Sequence, residues 1–107
     1  MDWEIARACY HPEAIDDHGP FKGGLDDFID WVADLLPGKF ATTTHFSGQQ
    51  IVEVDGDKAS MESYSRAYHW QHPAADGSVN DWILNLRYID QLERRNGEWR
   101  FVHRLIV

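Results

Sequence analysis

The chain has 107 residues, 43% of them apolar, and a net charge of −8 at pH 7. That length supports a single domain, residues 1–107, with one core. The acidity excludes a binder that works by neutralising nucleic-acid phosphates or by docking on an anionic membrane surface. One cysteine, Cys9, excludes an intrachain disulfide and a cysteine-based zinc site, and fits a reducing compartment. No apolar run reaches the roughly 20 residues of a membrane span, and no signal-peptide pattern is present, so a cytoplasmic location is expected.

The opening MDWEIARACYHPEA spaces Trp3, Ala6 and Tyr10 as a helix does, with Pro12 expected to stop it. The helix is short, and a longer first helix upstream is expected. Ala14 to Pro20 reads as a short extended piece entering a turn, and Lys22-Gly23-Gly24 as a loop. From Leu25, the residues Leu25, Phe28, Ile29, Val32, Leu35 and Leu36 form one apolar stripe, the mark of an amphipathic helix. Asp26 and Asp27 suit its first turn, and Pro37-Gly38 is expected to end it. Thr42 to Val54 alternates and is β-branched, a strand interrupted near Ser47-Gly48. Asp55-Gly56-Asp57 is a hairpin turn leading into a second long strand, Lys58 to His72. On that strand Ala59, Met61, Ser63, Ser65, Ala67 and His69 share one face.

The final stretch carries the plainest pattern. Trp82, Leu84, Leu86, Tyr88, Asp90 and Leu92 fall on one face at period two. Asn96-Gly97 supplies a primed turn, and Trp99, Phe101, His103, Leu105 and Val107 continue as the returning strand. Helices segregated from long antiparallel strands define an α+β fold.

Asp90 is the odd residue, a carboxylate in the middle of an apolar face. A cavity is expected along the small-residue face that ends in His69, with the strand histidine His45 as a second candidate. Asp90 would orient one of these imidazoles, and Tyr88 would offer a phenol to the same space. Asp16, Asp17 and His18 read as turn-capping side chains. The acidic positions Asp26, Asp27, Asp30 and Asp34 read as a solvated helix face. Six histidines invite a metal. However, His69 and His72 lie on opposite strand faces, and no HxH or HExxH spacing occurs, so no metal is assigned. No GxSxG turn or phosphate-cradling loop is present, and no cofactor is assigned.

Four runs now stand together: YHPEAIDDHGPFKG (Tyr10 to Gly23), TTTHF (Thr42 to Phe46), VDGDKASMESYSRAYH (Val54 to His69) and RYIDQLERRNGEWRFVHR (Arg87 to Arg104). In this order the chain resembles the SnoaL-like branch of the nuclear transport factor 2-like superfamily. The resemblance implies a cone-shaped α+β barrel of cystatin-like type, a strongly curved antiparallel sheet wrapped around helices and an apolar pocket. It brings in the chemistry of scytalone and bile-acid dehydratases, polyketide cyclases and relatives of ketosteroid isomerase. It also implies homo-oligomers, dimers or trimers built through the sheet. By the same resemblance, His45 and His69 face the pocket, and Asp90 with Tyr88 takes the acidic strand position. Met61, Ser65, Leu86, Trp82, Phe46, Phe28 and Trp31 are assigned to the substrate wall. The dehydratases' essential Tyr and Asp lie just upstream of the "DW" that is Asp2-Trp3 here, and have no counterpart in this sequence.

The expected function is a cofactor-free lyase or isomerase acting on a small apolar hydroxy or keto compound, such as a polyketide, a steroid or an aromatic. In it, His45 or His69 moves the proton, Asp90 orients the imidazole and Tyr88 donates a hydrogen bond. The alternative is a non-catalytic module that binds a small hydrophobic molecule or pairs with another subunit.

Overall fold

The computed structural model describes residues 1–107. Its elements are α1 (Trp3–Ala8), β1 (Tyr10–Asp17), β2 (Lys22–Gly24), α2 (Leu25–Lys39), β3 (Phe40–Asp55), β4 (Lys58–Gln71), β5 (Trp82–Arg95) and β6 (Glu98–Ile106). The six strands form one curved sheet in the order β2-β1-β6-β5-β4-β3. The sheet is mixed, because β1 runs parallel to β6 while every other pair is antiparallel. A parallel pair needs a crossover, and here almost the whole chain between β1 and β6 supplies it.

Three local expectations are corrected. The first helix stops at Ala8 and Pro12 lies inside β1. Tyr10 is buried against the sheet and the Phe101 N–H donates to the Cys9 carbonyl, so tertiary pairing captures the segment that helical spacing had claimed. Lys22-Gly23-Gly24 is a short strand paired with Ile15–Asp17 rather than a free loop. Pro37 and Gly38 do not end α2, which continues to Lys39 and closes with the Phe40 N–H donating to the Leu36 carbonyl. The buried ring of Phe40 anchors that end. The interruption expected near Ser47-Gly48 is a bulge between Ser47 and Gln50 within one continuous strand.

The helix α2 covers one face of the sheet, here called inner, through Phe28, the buried Ile29, Val32 and Leu36. Its stripe is narrower than expected, since Leu35 is exposed. An Arg7–Asp26 ion pair ties α1 to α2. The two long hairpins turn as their sequences require. Gly56 has φ +60, and the Asn96-Gly97 pair has φ 52 and 78, the double positive φ of a primed turn.

Register then sets which side chains face inward. Ala59, Ser63, Ser65, Ala67 and His69 of β4 are buried on the inner face. Across the ladders His45 pairs with Ala67, Tyr88 with Ser63 and Asp90 with Met61, so these too point inward. In β6 a second bulge intervenes. Leu92 pairs with Phe101, but Gln91 pairs with His103, leaving Val102 as the extra residue. Beyond it the alternation inverts, so that Arg104, and not His103, shares the inner face with Phe101.

Candidate active site

Between α1, α2 and the inner face lies a mostly apolar cavity of about 430 Å³, walled by Trp3, Tyr10, Phe28, Val32, Leu36 and Phe101. His18, His45, Tyr88 and Arg104 are the main polar groups on its wall. A second cavity of about 290 Å³ shares His45, Tyr88, Phe101 and Arg104 with the first and continues over Ser47, Gln50, Met61, Ser63 and Ser65. The two are adjoining lobes of one site. Large apolar walls with a few convergent polar groups are what a small-molecule site requires.

The carboxylate–imidazole pair of this site is Asp16–His18. Asp16 is 1% exposed, and one of its oxygens is hydrogen-bonded to His18 Nδ1. Its other oxygen accepts the Tyr10 hydroxyl at 3.2 Å. With Nδ1 engaged, Nε2 is the nitrogen of His18 left for a ligand, and the pairing sets the tautomer. The ring is held from the side by Phe28 (4.8 Å between centroids) and Trp31 (6.0 Å). Burial pushes the Tyr10 hydroxyl well above its ordinary value, with Asp16 acting the same way, so it remains a donor. Reading Asp16 and His18 as turn caps missed this. The turn exists, with the His18 N–H donating to the Phe21 carbonyl, but α2 buries Asp16 beneath it.

Asp90 does not orient a histidine. It is fully buried, and both carboxylate oxygens are held by Arg104, from Nε at 2.7 Å and from Nη2 at 2.9 Å. This bidentate fork is the strongest geometry available to the pair. Burial disfavours the Arg104 cation, but Asp90 together with the Tyr10 and Tyr88 hydroxyls outweighs it and raises the guanidinium above its usual range. The guanidinium lies 4.3 Å from the Tyr88 ring centroid and 4.2 Å from that of Phe101, so it is sandwiched as well as paired. Arg104 was missed because simple alternation along Trp99, Phe101, His103 and Leu105 turns it outward, and only the bulge turns it in.

The two strand histidines are neighbours, with ring centroids 5.4 Å apart. Desolvation, then the adjacent His69, push His45 below the ordinary histidine value, so it is a neutral imidazole on the cavity wall at neutral pH. His69 is buried between His45 and Phe40, and its Nδ1 has no partner. It stands behind the wall rather than on it. Tyr88 lies on both lobes, and burial raises its phenol above the ordinary value although Arg104 opposes this.

The residues assigned to the substrate wall divide. Phe28, Met61 and Ser65 line the two lobes. Trp31 packs on His18 and Phe21 behind Phe28. Trp82 packs edge-on against Phe40 under Lys39, away from the lobes. Phe46 is a correction. It pairs with the outward Arg66, is 68% exposed, and with Leu86 borders a separate groove. No group of three or more His, Cys, Asp or Glu side chains is disposed to hold a metal ion.

An α+β molecule with a curved sheet, a packed helix and an inner cavity of titratable groups is the nuclear transport factor 2-like, cystatin-like architecture. The chain belongs to the SnoaL-like family, whose domain matches residues 1–105. Solved structures agree on the fold. The Kfla4162 protein of Kribbella flavida superposes with a TM-score of 0.84 at 21% identity, covering 97% of this chain and 74% of that one. A scytalone dehydratase-like protein of Novosphingobium aromaticivorans gives 0.81 at 21% identity, covering 97% and 68%. The LinA-type3 hexachlorocyclohexane dehydrochlorinase of Novosphingobium barchaimii gives 0.81 at 16% identity, covering 99% and 72%. No curated protein matches the sequence significantly.

Proposed function

We propose that this protein is a cofactor-free lyase or isomerase that moves a proton on a small, largely apolar hydroxy or keto compound of the polyketide, steroid or aromatic kind. The observation that carries this reading is the buried Asp16 carboxylate holding His18 at the wall of an apolar cavity. His18 Nε2 takes a proton from the carbon next to a carbonyl. Asp16 holds the ring and stabilises the imidazolium as it forms. The electron pair moves onto the carbonyl oxygen, where Tyr88 and an unpaired N–H of Arg104 donate hydrogen bonds. The same imidazolium then returns its proton, to a departing β-hydroxyl in a dehydration or to another carbon in an isomerisation. His45, neutral at pH 7, fills the opposite wall as a hydrogen-bonding group. The scytalone dehydratase-like and dehydrochlorinase neighbours support an elimination-capable fold. We further place the protein in the cytoplasm as a homo-oligomer.

The test is hydrogen–deuterium exchange at the α-carbon of 2-tetralone in D₂O, followed by NMR. The wild-type protein should accelerate exchange, and His18→Gln should lower the rate on the order of a hundredfold. Equal rates for the two proteins would reject His18 as the base. Ligand-induced stabilisation without any exchange would favour binding without turnover.

A further inference from the structure

The serine lobe holds a feature that the proton transfer does not use. Ser63 and Ser65 are 5% and 7% exposed, stand two apart on the same face of β4, and neither hydroxyl has a hydrogen-bond partner. Both side chains line the 290 Å³ lobe. Ser47 sits directly across from Ser65 on β3, and the adjoining bulge brings Gln50 opposite Ser63. The two buried hydroxyls of Ser63 and Ser65 therefore face the same lobe as the exposed Ser47 hydroxyl and Gln50 amide at its rim. Buried polar groups are almost always paired, and two hydroxyls side by side on a cavity wall with no partner in the protein are free to bond an occupant of the lobe.

The chemistry of that partner follows from the charges present. Arg104 is the only cation on the lobe, and Asp90 already neutralises it through two hydrogen bonds. A carboxylate or phosphate placed against Ser63 and Ser65 would lose water on that side without gaining a free counter-ion. Serine hydroxyls and the glutamine amide each donate and accept. They suit a hydroxyl or a carbonyl oxygen, not an ion.

We propose that the serine lobe is a specificity subsite for a neutral oxygen-bearing group, so that the ligand has an apolar body in the 430 Å³ lobe and a hydroxyl or keto oxygen on Ser63 and Ser65. This rests on the reading of the two lobes as a substrate pocket. It is independent of whether His18 catalyses anything, because the readout is binding.

Affinities of indane, 5-indanol and indane-5-carboxylate are measured by calorimetry with the full chain. The wild-type protein should bind 5-indanol about tenfold more tightly than indane, the worth of roughly one net hydrogen bond. It should bind the carboxylate more weakly than the alcohol. In the Ser63→Ala/Ser65→Ala double variant the alcohol-to-indane ratio should fall to near one while indane itself binds as before. In His18→Gln the ratio should persist. An unchanged ratio in the double variant, tighter binding of the carboxylate, or no binding of any of the three overturns the proposal. If the double variant fails to fold, Ser63→Ala and Ser65→Ala serve singly in its place, and an unchanged ratio in both overturns it. A wild-type protein that catalyses no exchange but shows the alcohol-to-indane ratio removes the catalytic reading and leaves the subsite standing.

Discussion

Asp90 and Arg104 show how one neighbour redefines a residue. A buried carboxylate on an apolar face can assist a base or hold the fold, and the fork to Arg104 assigns it to the fold. Removing one member of a buried pair strands the other charge. Asp90→Asn should therefore lower unfolding free energy by about 3 kcal/mol in urea titration, while any folded fraction keeps its exchange activity. A loss of activity at unchanged stability would return Asp90 to the catalytic set. His45 yields a pH prediction. Its imidazole is held below the ordinary histidine value of about 6.5, first by desolvation and then by His69. As pH falls through that window the unfolded chain binds the proton first, so the folded state loses stability. The contribution is complete above about pH 6.5 and is lost on acidification through the depressed value. Melting temperatures at pH 7.5, 6.5 and 5.5 should fall less steeply for His45→Gln than for the wild-type protein.

At the scale of elements, turns and strands were legible and their faces only partly so. The Asn96-Gly97 turn follows from two residues that tolerate positive φ, and both adopt it. A side chain at Gly97 would meet no atom within 4 Å, so the cost of replacing it is conformational alone. Gly97→Ala should destabilise the hairpin by about 1 kcal/mol, read as a lowered melting temperature. An unchanged value would mean that the turn relaxes to another type. The β6 bulge left no comparable mark. Val102 is an ordinary strand residue, yet its unpaired place decides that Arg104 turns inward and His103 outward. The α1–β1 boundary was misplaced for a similar reason: Tyr10 fits a helical stripe, and only its pairing with Phe101 makes it a strand residue.

The whole molecule is elongated, 55 × 27 × 22 Å, and only 12 of its 107 residues are buried. A large part of its apolar surface lies on the outer face of the sheet. Phe46, Ile51 and Ile83 project there and are each more than half exposed, alongside Tyr64 and Trp70. Apolar surface of that extent is uncommon on a monomer. The proposed homo-oligomer should cover this face, so sedimentation velocity should show a dimer or trimer, and Phe46→Glu/Ile83→Glu should shift it toward the monomer. A wild-type protein that sediments as a monomer at micromolar concentration would end that expectation. No helix is long and apolar enough to cross a membrane.

What the sequence determined by itself is what neighbouring residues decide together. Period two along Trp82–Leu92 made a two-faced strand, period 3.6 along Leu25–Leu36 made a helix with one apolar side, and glycine at positive φ made the hairpins. These elements, together with the four family-like runs, identified the α+β fold. The tertiary structure alone decided the site, because each of its parts depends on residues far apart in sequence. Asp16 became an imidazole's partner when α2 closed over it. Asp90 was taken by a cation fourteen residues away that a bulge had turned inward. Ser63 and Ser65, two small residues on a strand, became unpartnered donors when β3 and β5 paired on either side of them.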